Sequence, residues 1–104
     1  MLTTPNDTSV TLINVFTVAP ENQQRLLELL DQATAGSVRH APGFLSSTLH
    51  RSLDGTKVTM RAHWRSREDY EAMRRDPQPT LQEALTIATF APGMYEVVGQ
   101  YVAG

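Results

Sequence analysis

The sequence predicts a single α+β domain in which an antiparallel sheet is covered on one face by helices, with elements in the order β-α-β-β-α-α-β. Three observations carry this expectation. Stretches that alternate apolar and polar residues flank an amphipathic helical run. An Asp54-Gly55 pair joins two such stretches as a hairpin. A chain of 104 residues with no break in composition has room for one core and hardly for two.

Residues 1–9 are polar and include Pro5, Asn6 and Asp7, so a flexible lead-in is expected there, with one domain over 10–104. The first strand is VTLINVFTV, 10–18. Val10, Leu12, Asn14, Phe16 and Val18 share one face, Thr11, Ile13, Val15 and Thr17 the other, and the β-branched residues favour extended backbone. Pro20 and Glu21 suit a helix start. Leu26, Leu29, Leu30 and Ala33 then recur at helical spacing before Pro42-Gly43, which predicts about five turns with an end frayed by Gly36.

FLSSTLHRS, 44–52, and TKVTMRAHW, 56–64, should pair antiparallel around Asp54-Gly55. A two-residue turn there puts Leu45, Leu49, Val58, Met60, Ala62 and Trp64 on one face, and Ser46, Thr48, His50, Thr59, Arg61 and His63 on the other. A slip of one residue would mix the two sets. Ser66 with Asp69 three residues on marks a capped helix start, with Tyr70 and Met73 on its apolar side and Asp76-Pro77 at its end. Arg67, Glu71, Arg74 and Arg75 read as the solvated side of that helix. Leu81, Ala84, Leu85 and Ala88 form a second helical stripe closed by Pro92-Gly93, and MYEVVGQYV, 94–102, alternates as a fourth strand. This order fits a ferredoxin-like split βαβ with an extra helix. Ile13, Val15, Phe44, Val98 and Val102 point to the face without helices, which predicts a homodimer packed sheet against sheet.

Composition narrows the function. With 40% apolar and 19% charged residues and a net charge of -2, the chain has neither a basic footprint for nucleic acid nor an acidic tail. No window approaches the ~20 apolar residues of a membrane span, and the N-terminus lacks a signal-peptide pattern, so a cytoplasmic protein with no membrane partner is expected. The absence of cysteine excludes disulfides, thiolate metal sites and a cysteine nucleophile. No dinucleotide-binding glycine fingerprint, phosphate loop or His-Glu-x-x-His motif occurs, so no cofactor is expected. In the hairpin register His50 opposes Thr59 and His63 opposes Ser46, roughly 13 Å apart, while His40 lies at a helix end. No metal site is expected.

The residues that draw attention sit on one face. Asn14 is a carboxamide among Leu12, Phe16 and Val18, and burying it unpaired costs roughly 1–3 kcal/mol. It either bonds a neighbouring group or serves as an oriented group in a pocket between sheet and helices. Trp64 ends the third strand and Tyr70 follows six residues later. Each is a core aromatic or, with its polar tip, the wall of a small-molecule site. Leu12, Phe16, Met60, Ala62 and Met73 are the apolar neighbours expected to line such a site. Arg61 and His63 fall on the opposite face as surface or dimer contacts.

TLINVFTVAPENQQRLLELL, HAPGFLSSTLHRSLDGTKV and AHWRSREDYEAM, then PGMYEVV, together cover nearly everything from Val10 to Val102, and in this order they resemble the antibiotic biosynthesis monooxygenase family of small dimeric α/β-barrel proteins. The resemblance implies a cofactor-independent oxygenase that takes a small aromatic polyketide intermediate of anthrone or phenol type, with O2, to a quinone. In that chemistry the deprotonated substrate itself gives an electron to O2, a peroxide forms at the activated carbon, and water leaves. The resemblance places catalytic roles on Asn14, Trp64 and Tyr70. The sequence departs from the family at one place. The strand-three segment often reads Asn-Tyr-Ala-Gln-Trp, and here it is Met60-Arg61-Ala62-His63-Trp64, so a ring-packing methionine stands where an asparagine polarises a carbonyl. Haem-degrading relatives hold iron through a histidine on the helix after the tryptophan, and residues 66–76 contain none. Two alternatives remain open: a non-oxidative polyketide cyclase on similar substrates, and a non-catalytic dimer that binds a small molecule.

Overall fold

The first strand, β1 (Val10–Val18), alternates as expected: Leu12, Asn14, Phe16 and Val18 are buried on its helix-facing side. The computed structural model describes residues 9–76 and 78–104, so the lead-in expected over 1–9 lies, apart from Ser9, outside the described residues. Pro20 starts a 3-10 turn (Pro20–Asn22) that leads into α1 (Gln23–Gly36), which buries Leu26, Leu29, Leu30 and Ala33. The helix stops at Gly36, about four turns instead of five. Ser37 leaves helical backbone, and a separate 3-10 turn (Val38–His40) carries the chain to Pro42. At the start of α1 the buried Gln23 donates from Nε2 to the carbonyls of Ser52 (3.2 Å) and Lys57 (3.0 Å), fixing the helix to the base of the hairpin.

The hairpin strands are β2 (Phe44–Arg51) and β3 (Lys57–Trp64). From Ser46↔His63 to Arg51↔Val58 they keep the predicted register. The turn is longer than two residues. Ser52 N–H donates to the Lys57 carbonyl (3.0 Å), leaving Asp54 and Gly55 at the centre of residues 53–56, with Gly55 at φ +82°. Asp54 Oδ1 accepts from Thr56 Oγ1 (2.7 Å), Thr56 N (3.0 Å) and Ser52 Oγ (2.8 Å). Led by the Thr56 hydroxyl, these bonds hold the carboxyl at about 2, below its ordinary 3.8.

A bulge between Phe44 and Ser46 corrects two expectations at once. An extra residue in one strand reverses the alternation beyond it. Leu45, expected on the core face, is therefore 58% exposed, and Phe44, expected on the other face, opposes Trp64 and meets its ring edge-on at 5.5 Å.

Ser66 caps α2 (Arg67–Arg75) as the sequence predicts: its hydroxyl accepts from Asp69 N–H (3.1 Å) and donates to Asp69 Oδ2 (2.9 Å). A short α3 (Pro79–Ala84) lies against α1, with Ala84 buried. The second helical stripe fails beyond this point. Thr86 N and Oγ1 both donate to the Glu83 carbonyl and close the helix, and Ala88, expected on the helix, begins strand β4 (Ala88–Ala91). A two-residue β5 (Met94–Tyr95) follows, so the fourth strand expected over 94–102 is paired only at its start, and residues 96–104 belong to no strand. β4 and β5 pair with the same edge of β1 in one register, and between them Ile13 N–H donates to the Gly93 carbonyl (2.9 Å). They form one edge strand interrupted at Pro92, which has no N–H to give.

The sheet order is β2-β3-β1-β4, all antiparallel, the order of a ferredoxin-like α+β fold. Two apolar clusters fill the space under the helices. One centres on Phe16, Leu26, Leu29, Leu30 and Val58, the other on Leu12, Ala62, Trp64 and Tyr70. Asn14 lies between Leu12 and Phe16, at the joint of the two. On the opposite sheet face Ile13 and Val15 are half-buried, Arg61 is exposed, and the His63 ring lies 3.0 Å from Thr11 Oγ1.

Candidate active site

The site grows from the end of β3. Trp64 is the largest side chain in the core and 1% exposed. The Ser66 cap starts α2 so that Tyr70 comes round one turn later and meets the indole edge-on at 5.8 Å. Phe44 closes the other edge of the indole. These three rings wall a hollow whose floor is the sheet, with Leu12 and Asn14 from β1, Met60 and Ala62 from β3, and Ser47 from β2. Its roof is Ala33 and Thr34 of α1, Met73 and Arg74 of α2, and Leu81 of α3, with Val38 and Phe90 at the sides.

The structure thus brings together Asn14, Trp64, Tyr70, Leu12, Met60, Ala62 and Met73 around one cavity. Asn14 and Met60 are direct neighbours across β1 and β3. Phe16 is the exception. It belongs to the first cluster and stacks on Phe90 at 4.9 Å, and Phe90 occupies the wall in its place. The lining residues not anticipated at the site include Thr34, Phe44, Ser47, Arg74 and Phe90. Three had a signal. Thr34 falls four residues after Leu30 on the buried stripe of α1, and Arg74 four after Tyr70, spacings that share a helix face. Ser47 falls between Leu45 and Leu49 on the core face of the predicted hairpin register, opposite Ala62. Phe90 and Phe44 had none, since a distant β4 brings in the one and the bulge in β2 the other.

Polar groups in this apolar setting are few. Asn14 is 9% exposed and its Oδ1 is buried with no hydrogen-bond partner; Thr34 Oγ1 is in the same condition. Arg74, expected to be an ordinary solvated arginine, instead donates from Nη1 to the Tyr70 hydroxyl oxygen (2.8 Å), with its guanidinium carbon 5.8 Å from the ring centroid. Because the Tyr70 oxygen accepts that bond, its own O–H is left to donate elsewhere. Two neighbouring arginines do pair on the surface: Arg65, just before the helix, with Asp69 at 2.9 Å, and Arg67 with Glu71 at 2.8 Å. The Arg65 guanidinium and the Ser66 hydroxyl hold the Asp69 carboxyl below its usual range. Among the described residues no group of three or more His, Cys, Asp or Glu is placed to hold a metal.

The cavity has about 60 Å³ of free space. Pockets for drug-sized ligands run to about 300–1,000 Å³. A water or O2 therefore fits as the cavity stands, whereas a fused-ring ligand requires its lining side chains to move apart. Methionine side chains with three rotatable bonds, Met60 and Met73, line the hollow and can repack around such a ligand.

An antiparallel α+β domain with an aromatic-walled, largely apolar hollow and a few convergent polar groups is a small-molecule site of the enzyme type. The particular family follows from comparison. Residues 9–79 match the model of the family described as antibiotic biosynthesis monooxygenase, and the chain belongs to that family. It is 42% identical over 101 residues to tetracenomycin-F1 monooxygenase of Streptomyces glaucescens, with 95% of this chain and 90% of the relative covered. Among solved structures it resembles the ActVA-Orf6 monooxygenase of Streptomyces coelicolor in complex with nanaomycin D, at 30% identity and a TM-score of 0.79, covering 93% of this chain and 94% of that one. It shares its fold with SnoaB, a cofactor-independent oxygenase from Streptomyces nogalater, at 24% identity and a TM-score of 0.74, covering 93% and 99%. The protein is a monooxygenase of antibiotic biosynthesis. No helix among the described residues is long and apolar enough to cross a membrane.

Proposed function

We propose that this monooxygenase oxidises a polycyclic anthrone- or phenol-type aromatic intermediate to a quinone with O2, using no cofactor. The observation that carries the reading is the buried, unpartnered Asn14 oxygen in a pocket walled by Trp64, Tyr70 and Phe44. A buried polar group without a partner costs about 1–3 kcal/mol, a cost that a ligand oxygen bound beside it removes. Half a turn of the carboxamide exchanges its oxygen and nitrogen, so Asn14 can accept from a phenol or donate to a carbonyl. The ligands of the relatives support an aromatic guest: one relative is named for tetracenomycin F1 and another is in complex with nanaomycin D.

In this reading the ring system lies against Trp64 and the two methionines with its oxygen at Asn14 and Tyr70. Removing a C–H proton gives an enolate whose negative oxygen is held by the Asn14 amide and the Tyr70 O–H, while Arg74 fixes the Tyr70 oxygen from behind. The enolate gives one electron to O2, the radicals join at the activated carbon, and a peroxide forms. Loss of the second C–H proton breaks the O–O bond, so one oxygen atom stays as the quinone carbonyl and the other leaves as water. With Met60 in the strand-three position, Asn14 is the carboxamide left in the pocket, and the geometry puts it beside Met60.

Two further features belong to the proposal. The protein acts as a homodimer joined through the sheet face of Ile13 and Val15, where Tyr95, opposite Thr11, is 53% exposed. It works in the cytoplasm. Oxygen uptake with an anthrone-type substrate, compared between wild type, Asn14→Ala and Trp64→Phe, tests the site; equal rates in all three would sink it. Product formation at an undiminished rate without O2 would instead mean a cyclase.

A further inference from the structure

Asn14 is not the only buried polar group in the pocket that lacks a partner. Thr34 lies in the last turn of α1, in the helical layer that faces the sheet carrying Asn14, and its Oγ1 is shielded from solvent with nothing bonded to it. A helical threonine ordinarily satisfies its hydroxyl by turning back to the carbonyl four residues earlier. Thr34 makes no such bond. Its position on the buried stripe of an otherwise apolar helix face supplies no other protein partner, so the hydroxyl is a donor and an acceptor held available at the cavity wall. Thr34, Phe44 and Ser47 also stand between this pocket and an open hollow along α1 and β2.

We propose that Thr34 is a specificity-determining residue: its hydroxyl binds a second oxygen of the aromatic ligand, a ring hydroxyl other than the oxygen taken by Asn14. The proposal rests on the pocket's being the aromatic-binding site. Two anchors in opposite layers, one in the sheet and one in α1, fix a flat ligand against sliding and rotation, which a single contact at Asn14 does not. A site with a buried group waiting for a hydroxyl also discriminates against a ligand that lacks one, because that group then stays unpaired. The substrate class is thus a fused-ring phenol oxygenated at two separate positions, with the second oxygen directed toward α1.

The test uses the full chain under anaerobic conditions, with quenching of Trp64 emission as the readout, since Trp64 is the only tryptophan and lies on the pocket wall. The probes are anthrone and a set of its monohydroxylated derivatives. Wild type is expected to bind at least one derivative about five- to tenfold more tightly than anthrone. Thr34→Val, which keeps the shape and removes the hydroxyl, should bind that derivative no better than it binds anthrone. Thr34→Ser should restore the preference. If no derivative outbinds anthrone in wild type, or if the preference survives in Thr34→Val, Thr34 is a packing residue and the proposal is wrong. If neither anthrone nor any derivative quenches wild type, the aromatic-binding function fails and the proposal with it.

Discussion

Replacing Asn14 by leucine should raise stability while removing activity, and the two effects together isolate what the carboxamide is for. Leucine has the same branched four-atom skeleton, and the neighbours of Asn14 on its face are Leu12 and Phe16, both 1% exposed. The wild-type protein carries the penalty of a buried Oδ1 without a partner, about 1–3 kcal/mol, and leucine removes it. The two methyl groups have room, because the position adjoins about 60 Å³ of free cavity. At about 4–8 °C per kcal/mol for a domain of this size, the midpoint of thermal unfolding should rise by about 4–24 °C. Oxygen uptake with an anthrone-type substrate should fall by about 10²–10³-fold, the usual cost of losing one oriented group at a developing negative oxygen. Far-UV circular dichroism on heating reads the first effect and an oxygen electrode the second. A midpoint that drops by several degrees would refute the reasoning, since it would mean that the carboxamide is satisfied within the protein and is not held for a ligand.

Trp64→Ala removes the largest buried side chain and the partner of both Phe44 and Tyr70, so denaturant unfolding should show a loss of about 3–5 kcal/mol; a loss below about 1 kcal/mol would mean that the indole is not core. Gly43 and Gly55 both have positive φ, but a Cβ at Gly43 falls 2.5 Å from Asp69, and at Gly55 its nearest neighbour is Pro20 Cβ at 3.5 Å. Gly43→Ala should therefore cost clearly more than the roughly 1 kcal/mol of Gly55→Ala, and equal costs would show that Asp69 moves aside freely. Asp54 is depressed from 3.8 to about 2, so its contribution to stability is present above about pH 3.8 and lost as pH falls through about 2. An NMR titration of its carboxyl should place the midpoint near 2 and that of the Thr56→Val protein higher; a wild-type midpoint near 3.8 would remove the turn's hydrogen bonds from the account.

Much of this site was legible without coordinates because strand alternation assigns faces. Once VTLINVFTV was extended and the hairpin register followed from Asp54-Gly55, Leu12, Asn14, Met60, Ala62 and Trp64 had to share a side of the sheet. The capped start at Ser66 then aimed Tyr70 and Met73 at the same side. Alternation reports the face and not the opposing residue, which is why Phe16 looked equivalent to Leu12 although Phe90 covers it. Thr34 and Arg74 carried the right spacing, but a threonine in a helix and an arginine near its end are ordinary until their partners are known.

By itself, then, the sequence determined the strand-helix-hairpin order, the register from Ser46 to Arg51, the Ser66 cap, and the family resemblance, all set by local periodicity and turn chemistry. Only the tertiary structure decided three things. It placed a bulge that turns Phe44 in and Leu45 out, because the indole of Trp64 needs an edge partner. It made Ala88–Ala91 a strand, because β1 has an open edge whose backbone groups a four-residue run can satisfy, and so short a run has no decisive period of its own. It left Asn14 and Thr34 unpaired across one cavity, because hydrogen-bond satisfaction depends on groups far apart in the chain.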